Sequence, residues 1–314
     1  MKYGIIDIGT NSMRLLLADF DGKNFNDRTK MIETTRLGRG IDETGKISVE
    51  SIKKSVETLA KFKKITIEYC CDKIVCIGTA ALRCSANKEE FIKIAKEKTG
   101  IDVEIISGDT EALLGYKGVT GGIELFDQHA LIIDIGGGST EFIVGNAKNI
   151  LFRESIDIGA LRLTDTFVNS FPENEMEIKN IVDYIQDRIK SVIIKIKSLK
   201  IPLILIGIGG TITSVSAINQ KLETYSMEKI HSSKVSYEEL ENQINFIKSM
   251  NIGQRRKIVG LQPKRAEIIL SGELILKEIM KNIEINEIVI SEYDNLEGCV
   301  FDKTINKSLK LYNI

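Results

Sequence analysis

The stretch Ile132–Val144 reads IIDIGGGSTEFIV and combines an aliphatic run, an aspartate, three glycines, two hydroxyls and a glutamate. This order predicts a buried strand, a tight glycine turn and a second strand. Glycine lets the backbone approach a ligand closely and adopt positive φ without a Cβ penalty. A turn lined by N–H groups and hydroxyls suits a phosphate, and carboxylates such as Asp134 and Glu141 suit a hard divalent cation.

This stretch has a twin near the N-terminus. Ile5–Leu17 reads IIDIGTNSMRLLL, and in register Asp7 falls on Asp134 and Ser12 on Ser139. A run this similar appearing twice indicates duplicated domains. Two such turns facing each other would form a cleft that holds a phosphorylated ligand from both sides.

The bulk composition is that of a globular protein large enough for two domains. The chain has 314 residues, 43% hydrophobic and 28% charged, with a net charge of −1. No apolar run reaches the roughly 18 residues that span a bilayer, and no signal peptide is evident, so we expect a cytoplasmic protein without a membrane partner. The near-zero charge argues against nucleic acid as a partner, and an anionic ligand must be attracted by local arginines and lysines.

The content of cysteine and histidine excludes several kinds of site. The chain has five cysteines without CxxC spacing and only two histidines. A disulfide framework, a zinc site and a histidine-based catalytic triad are therefore not expected.

The order of strands and helices predicts two α/β halves that meet near 121–129. Ser48 is predicted to cap a long amphipathic helix, and Asn87 with Glu90 to cap the next one. Further helices are predicted over 174–199 and, at the end of the chain, over 296–310.

Three further motifs have both a functional and a purely structural interpretation. The turn Gly207–Thr211 could present N–H groups to an anion at a helix N-terminus, or could serve only strand-to-helix packing. Arg83 could clamp a phosphate or be a solvated arginine. Glu111 could hold a water for attack or merely complement a helix dipole.

The basic run at 255–265 has two interpretations of the same sort. Arg255-Arg256-Lys257 and Lys264-Arg265 could form a solvated face, or could hold the far end of a polyanionic chain.

Taken together, the motifs resemble those of the exopolyphosphatase and guanosine pentaphosphate phosphohydrolase family (Ppx/GppA), over essentially the whole chain. The motifs that carry the resemblance are DIGTNSMRLL at 7–16, TAALR at 79–83, SGDTEALLGYKGV at 107–119, DIGGGSTE at 134–141, GALRL at 159–163, GIGGTIT at 207–213 and GLQPKRAEIILSG at 260–272. No single motif is decisive, but the ordered set is highly specific.

The resemblance implies an α/β fold of two actin-like, ribonuclease-H-like domains with an interdomain cleft, as in sugar kinases and chaperone ATPases. Domain I is expected over 1–124 and domain II over 125–298, with 299–314 packing back on domain I. Larger relatives carry a C-terminal helical domain, and this chain resembles the short form without it. The possibility of a homodimer stays open.

The activity implied by the resemblance is that of a hydrolase acting on phosphorus-containing anhydrides. It would remove the terminal phosphoryl group of inorganic polyphosphate, of guanosine pentaphosphate, or of both, with Mg²⁺ or Mn²⁺ as cofactor. Glu111 would activate the attacking water, and Asp134, Glu141 and Asp7 would hold the metal. The resemblance and the glycine turns together assign phosphate binding to Thr10, Asn11, Ser12, Arg14, Arg83, Gly137, Gly138, Ser139, Thr140, Gly209, Gly210, Thr211 and Arg265.

Two alternatives stay open. One is a kinase or ATPase of the same fold, against which SGDTEA at 107–112 and KRAEII at 264–269 argue. The other is a sensor that binds polyphosphate or a nucleotide without chemistry. Its only support is SEYDNLEG at 291–298, where the family usually has Ser, two residues and Gly-Leu-Arg-Glu-Gly, so that Leu296 replaces an arginine.

Overall fold

The computed structural model describes residues 1–302, which fold into two compact units. Unit 1 contains Met1–Gly118 and the described residues from Asn295 onward, and unit 2 contains Val119–Asp294. The two divisions between the units, after Gly118 and after Asp294, thus fall a few residues before the expected domain boundaries at 124 and 298. Of the segment expected to pack on domain I, residues 299–302 belong to unit 1, and the remainder lies outside the described residues.

Strands and helices alternate along both units. The strands are β1 (Lys2–Ile8), β2 (Ser12–Phe20), β3 (Phe25–Thr34), β4 (Lys73–Gly78), β5 (Glu104–Ile105), β6 (His129–Ile135), β7 (Thr140–Gly145), β8 (Ile150–Ile156), β9 (Leu203–Ile208), β10 (Lys234–Ser236) and β11 (Glu287–Ile290). The helices are α1 (Ile41–Thr44), α2 (Val49–Glu68), α3 (Ala80–Cys84), α4 (Lys88–Thr99), α5 (Gly108–Gly122), α6 (Ala160–Phe167), α7 (Glu175–Ser198), α8 (Gly209–Asn219), α9 (Met227–Ile230), α10 (Tyr237–Ile247), α11 (Ile252–Arg255), α12 (Ile269–Ile283) and α13 (Asn295–Phe301), with a 3₁₀ turn at Pro263–Arg265.

The sheet of unit 1 has the strand order β3-β2-β1-β4-β5 and is covered on both faces. Because successive side chains of a strand point to opposite faces, Ile6 packs with the apolar side chains of α2 and α4, whereas its neighbour Ile5 packs with Leu114 of α5 and Val300 of α13. This explains why β1 and β2 are apolar throughout rather than alternating.

The sheet of unit 2 repeats this order and adds one edge strand. Its order is β10-β11-β9-β6-β7-β8, so that β8-β7-β6-β9-β11 corresponds strand by strand to unit 1. The two hairpins also pair in the same register, with Asp7 opposite Arg14 and Asp134 opposite Glu141. The duplication predicted from the twin stretches is confirmed. The short strand β10 was not predicted.

The parallel strands determine where the motifs meet. In unit 1, β1, β4 and β5 run parallel, so the segments 9–12, 79–83 and 107–111 leave the same edge of the sheet. In unit 2, β6, β9 and β11 run parallel and place 136–139, 209–211 and 291–294 at one edge. The carboxyl edge of parallel strands is the usual place for a ligand site in α/β proteins.

The two predicted helix caps had different outcomes. Ser48 caps α2, since its hydroxyl accepts a hydrogen bond from Ser51 N at 3.2 Å. The cap hydrogen bond predicted for Asn87 is wrong, although α4 begins immediately after it. Its amide instead bonds both backbone groups of Ile47, at 2.8 and 3.0 Å, and ties the segment before α2 to the start of α4.

Two further findings concern the described residues, 1–302. None of their helices is both long and apolar enough to cross a membrane. None of the five cysteines forms a disulfide bond.

Candidate active site

The first glycine turn, Gly9–Ser12, connects β1 to β2 in unit 1. Gly9 N donates to Ser12 O at 3.1 Å, and a Cβ on Gly9 would lie only 2.8 Å from that oxygen, so the turn requires glycine there. The carbonyls of the two central residues accept hydrogen bonds from N–H groups of the segment 35–38. Because peptide groups are planar, the hydrogen bonds that hold these carbonyls also fix the directions of the N–H groups in the same peptide planes.

The side chains of this turn bond partly to each other. Asn11 Nδ2 donates to Ser12 Oγ at 3.1 Å. Asn11 Oδ1 is buried and makes no hydrogen bond in the structure. A buried acceptor without a donor is costly, so a water or another donor at this position would be favourable. Asn11 and Ser12 thus lie together in the turn, and their contact with a ligand stays a prediction.

The charged residues flanking this turn form an ion pair. Arg14 donates from Nε at 3.0 Å and from Nη2 at 2.5 Å to Asp7 Oδ2. Sequence reasoning placed Asp7 at a metal and Arg14 at a phosphate. The two charges therefore neutralise each other through Asp7 Oδ2, and the metal role of Asp7 and the phosphate role of Arg14 stay predictions.

Glu111 lies in the first turn of α5, at the same edge of the unit 1 sheet. Ser107 caps this helix by accepting from Thr110 N at 3.1 Å. Arg83 Nη1 donates to Glu111 Oε2 at 3.0 Å and to the carbonyl of Ile106 at 3.1 Å. The interpretation of Arg83 as a solvated arginine is therefore wrong, because its guanidinium holds the carboxylate of Glu111, which is only 7% exposed.

The second glycine turn, Gly136–Ser139, connects β6 to β7 in unit 2. Gly136 N donates to Ser139 O at 3.0 Å, which is the same closure as in the first turn. The carbonyl of Gly137 accepts hydrogen bonds from two N–H groups at the start of α6, and the carbonyl of Gly138 accepts from Arg162 Nε at 2.9 Å. The peptide planes of the turn are thus fixed by the helix that follows β8.

Two carboxylates face each other beside the second turn. Asp134 and Glu141 are direct partners across β6 and β7. Glu141 Oε1 accepts hydrogen bonds from Ser139 Oγ at 2.8 Å and from Ser155 Oγ at 2.7 Å. Like charges directly opposite one another are destabilising, so this pair favours a bound cation.

A divalent ion fits these residues in part. Within residues 1–302, no group of three or more His, Cys, Asp or Glu side chains is arranged to hold a metal. Mg²⁺, however, is usually held by one or two carboxylates, with phosphate oxygens and waters completing its shell. Asp134 and Glu141 meet that requirement. Asp7 is paired with Arg14 within unit 1.

The third glycine turn begins α8, directly after β9. Gly209 has φ +83°, and a Cβ there would overlap the carboxylate of Asp134. A Cβ on Gly210 would likewise overlap the guanidinium of Arg265, which is 7% exposed. Helix N-termini attract anions, and the arginine adds a full positive charge at the same place. The structure therefore brings Asp134, Gly209, Gly210 and Arg265 together within unit 2.

The comparisons with known proteins identify the family. A model of the Ppx/GppA phosphatase family matches residues 17–307. The chain belongs to the Ppx/GppA phosphatase family. The resemblance found in the ordered motifs is thereby confirmed.

Several relatives of known name are similar over nearly all of this chain. The bifunctional 3-dehydroquinate synthase/phosphatase of Fusobacterium nucleatum is 36% identical over 96% of the chain, which spans 46% of that relative's length. Exopolyphosphatase 2 of Mycobacterium tuberculosis is 28% identical, over 95% of this chain and 97% of the relative.

Solved structures of the family share the fold. An exopolyphosphatase from Cytophaga hutchinsonii superimposes with a TM-score of 0.89 at 29% identity and covers 98% of both chains. The Ppx/GppA member from Aquifex aeolicus gives a TM-score of 0.79 at 26% identity over 98% of this chain and 99% of its own. The predicted fold class, two α/β domains of the actin-like type, is confirmed.

Two residues, Thr140 and Arg255, have surroundings that differ from the expectation. Thr140 is fully buried, and its hydroxyl donates to the carbonyl of Ile158 at 2.8 Å. It therefore secures the hairpin and does not present its hydroxyl to a ligand. Arg255 is also fully buried and forms a two-bond ion pair with Glu173, so the solvated-face interpretation is wrong for this residue. Arg256 and Lys257 are exposed.

The structure adds three residues that sequence reasoning did not assign. Gly159 lies so close to the second turn that a Cβ there would overlap the backbone of Gly137 and Gly138. Arg162 and Ser155 bond the turn and Glu141, as described above. The GALRL motif at 159–163 is the sequence feature that points to Gly159 and Arg162, because it places both residues at the start of a helix. Nothing in the sequence singles out Ser155.

Proposed function

We propose that this chain hydrolyses the terminal phosphoanhydride of inorganic polyphosphate, with guanosine pentaphosphate as a second substrate and Mg²⁺ or Mn²⁺ as cofactor. Family membership supports this, as do relatives named exopolyphosphatase. A Vibrio parahaemolyticus relative named guanosine-5'-triphosphate,3'-diphosphate pyrophosphatase, 27% identical over 96% of the chain, supports the second substrate.

The observation that carries the proposal is the ion pair between Arg83 and Glu111, 3.0 Å apart at the carboxyl edge of the unit 1 sheet. Phosphoryl transfer depends mainly on alignment and neutralisation of charge rather than on covalent chemistry. Glu111 would orient the attacking water and accept its proton. Arg83 holds the carboxylate in place and brings a positive charge beside it.

The glycine turns would bind the phosphoryl oxygens. In the first and second turns the carbonyls accept hydrogen bonds from neighbouring backbone N–H groups and, at Gly138, from Arg162 Nε, so the N–H groups of the turns are fixed before a ligand arrives. Donors that need no reorganisation stabilise developing charge most effectively. Arg265 would add its charge at the N-terminus of α8.

The metal would be held by Asp134 and Glu141. A bound Mg²⁺ or Mn²⁺ would supply positive charge against the phosphate oxygens. The opposed carboxylates of β6 and β7 support this assignment, because a cation would relieve their repulsion. Ser139 and Ser155 orient Glu141 by donating hydroxyl protons to it.

The decisive experiment measures phosphate release by the purified protein from long polyphosphate, short polyphosphate and guanosine pentaphosphate, side by side. We expect Glu111→Gln to remain folded and to lose about 100-fold or more of the turnover. Glu97→Gln, which removes an exposed carboxylate from α4 of the same unit, serves as the matched control. Full activity in a folded Glu111→Gln variant would overturn the catalytic assignment.

The same purified protein separates the two alternatives. Rapid turnover of ATP without phosphate release from polyphosphate would favour a kinase or ATPase. Tight binding of polyphosphate in calorimetry without turnover, in both Mg²⁺ and Mn²⁺, would favour a sensor.

A further inference from the structure

Unit 2 contains a cavity of about 660 Å³ that the proposed function does not use. Its walls come from the C-terminal end of α8, from α10 and from the segment 250–259. Cavities of this size are typical of small-molecule sites. The glycine turn lies at the opposite end of α8, and a helix of 11 residues is about 16 Å long. The cavity is therefore distinct from the phosphate-binding turns.

Part of the cavity wall is apolar and open to solvent. Phe246 is 53% exposed and Val259 is 47% exposed, and both line the cavity with Met250 and Ile258. An exposed aromatic side chain forgoes about 2 kcal/mol of burial free energy. The face of an aromatic ring at a cavity wall suits a planar ring system, which can stack on it.

The charges at the cavity favour an anion. Lys221 and Lys257 both line it, and neither forms an ion pair with any residue in 1–302. The acidic residue of the lining, Glu239, already accepts hydrogen bonds from Ser236 N at 2.7 Å and from Asn219 Nδ2 at 3.2 Å. Two lysines and one carboxylate leave the lining with a net charge of +1, which attracts an anionic group such as a phosphate monoester.

The lining also offers a polar side chain for the edge of a heterocycle. The amide of Asn242 is exposed at the cavity and makes no hydrogen bond among the described residues. An amide presents both a donor and an acceptor, as the edge of a nucleobase requires. We propose that this cavity binds a nucleoside monophosphate, with its base on Phe246 and Asn242 and its phosphate on Lys221 and Lys257.

The first test is isothermal titration calorimetry of the whole chain with AMP, adenosine and ribose 5-phosphate. We expect AMP to bind at least about tenfold more tightly than either fragment, because each fragment lacks one half of the contacts. An AMP affinity equal to that of either fragment, or no binding of AMP, would overturn the proposal.

Variants then locate the site. Phe246→Ala should weaken AMP binding about tenfold, whereas Phe126→Ala should leave it unchanged. Phe126 is the matched control, since it is 75% exposed in the same unit and does not line the cavity. Equal effects of the two substitutions would place AMP elsewhere and overturn the proposal.

A pair of double variants tests the contact between the lysines and the phosphate. Lys221→Gln with Lys257→Gln should weaken AMP binding about tenfold, whereas Lys200→Gln with Lys248→Gln, two exposed lysines outside the lining, should have no effect.

Discussion

The two glycine turns have the same backbone closure but different charges. In unit 1 the residues opposite each other beside the turn are Asp7 and Arg14, which form an ion pair. In unit 2 the equivalent residues are Asp134 and Glu141, both acidic. One copy of the hairpin is therefore neutral within itself, while the other carries negative charge that an outside cation can balance. The proposed metal site therefore uses the hairpin of unit 2, whose two carboxylates lie opposite each other.

The two turns also differ in what holds them. The carbonyls of the first bond the loop segment 35–38, whereas those of the second bond the N-terminus of α6 and the side chain of Arg162. The second turn is consequently held by a helix, and the first by a loop. Substitutions at equivalent places should have different consequences in the two units.

The largest expected contrast is between Arg14→Met and Glu141→Gln. Removing Arg14 leaves the buried carboxylate of Asp7 without its arginine, and we expect the free energy of unfolding to fall by about 3 kcal/mol. Glu141→Gln relieves the repulsion between carboxylates, so its stability should change by less than about 1 kcal/mol. Its phosphate release should fall about 100-fold, because the substitution removes a proposed metal ligand.

Chemical denaturation and phosphate release, measured on both variants, check this contrast. A strongly destabilised Glu141→Gln with normal turnover would show that the unit 2 carboxylates serve stability, and the contrast between the turns would disappear.

The second contrast concerns carboxylates buried elsewhere in each unit. Glu297 of unit 1 is paired with Arg28 at 2.9 Å and Lys30 at 3.1 Å. Glu273 of unit 2 accepts a hydrogen bond from Gln243 at 2.6 Å, and burial raises its pKa to about 8 despite that bond and the charge of Arg255. Glu297 is therefore balanced by cations, whereas Glu273 is kept protonated.

This difference predicts a dependence of stability on pH. Glu273 in the unfolded chain loses its proton near its ordinary pKa of 4.5, while the folded protein keeps it until about pH 8. The stabilising contribution of Glu273 is therefore complete below its pKa in the unfolded chain and is lost as the pH rises toward its pKa in the folded protein. Over this range the free energy of unfolding falls by up to about 1.4 kcal/mol per pH unit. Glu273→Gln should remove this slope in denaturation experiments across that range. Identical slopes for the variant and the unaltered chain would contradict the assignment.

The third contrast is between Gly159→Ala and Gly38→Ala. A Cβ on Gly159 meets the backbone of the second turn, whereas a Cβ on Gly38 meets the methyl group of Thr10, which can rotate away. We expect Gly159→Ala to cost about 1–3 kcal/mol of stability and to lower kcat/KM, and Gly38→Ala to cost clearly less. Thermal denaturation and steady-state kinetics of both variants check this prediction. Equal losses of stability and of kcat/KM would show that the two turns are held equally rigidly.

The smallest expected effect is that of Ser155→Ala. The substitution removes one of the two hydroxyls that bond Glu141 and should lower stability by only about 1 kcal/mol. Binding of Mn²⁺, measured by calorimetry, should weaken about tenfold, because Ser155 orients Glu141, the proposed metal ligand. Ser155→Thr keeps the hydroxyl and should restore binding. Unchanged Mn²⁺ affinity in Ser155→Ala would remove Glu141 from the metal site.

The sequence by itself determined the features that depend on neighbouring residues. Strand, glycine turn and strand follow from local sterics, so both hairpins could be predicted, and their similarity revealed the duplication. The cap at Ser48 is equally local, since it joins groups three residues apart. The ordered motifs were sufficient to identify the family, and with it the fold.

Only the tertiary structure decided which charged and polar groups meet. Arg83 reaches Glu111, Arg255 reaches Glu173 and Ser155 reaches Glu141 across distances in sequence that no periodicity encodes. The partner of a long side chain depends on how sheets and helices pack, and burial then makes the pairing obligatory, because an isolated buried charge is too costly. For the same reason Arg255 could be taken for a surface residue from its basic neighbours, although the fold buries it completely.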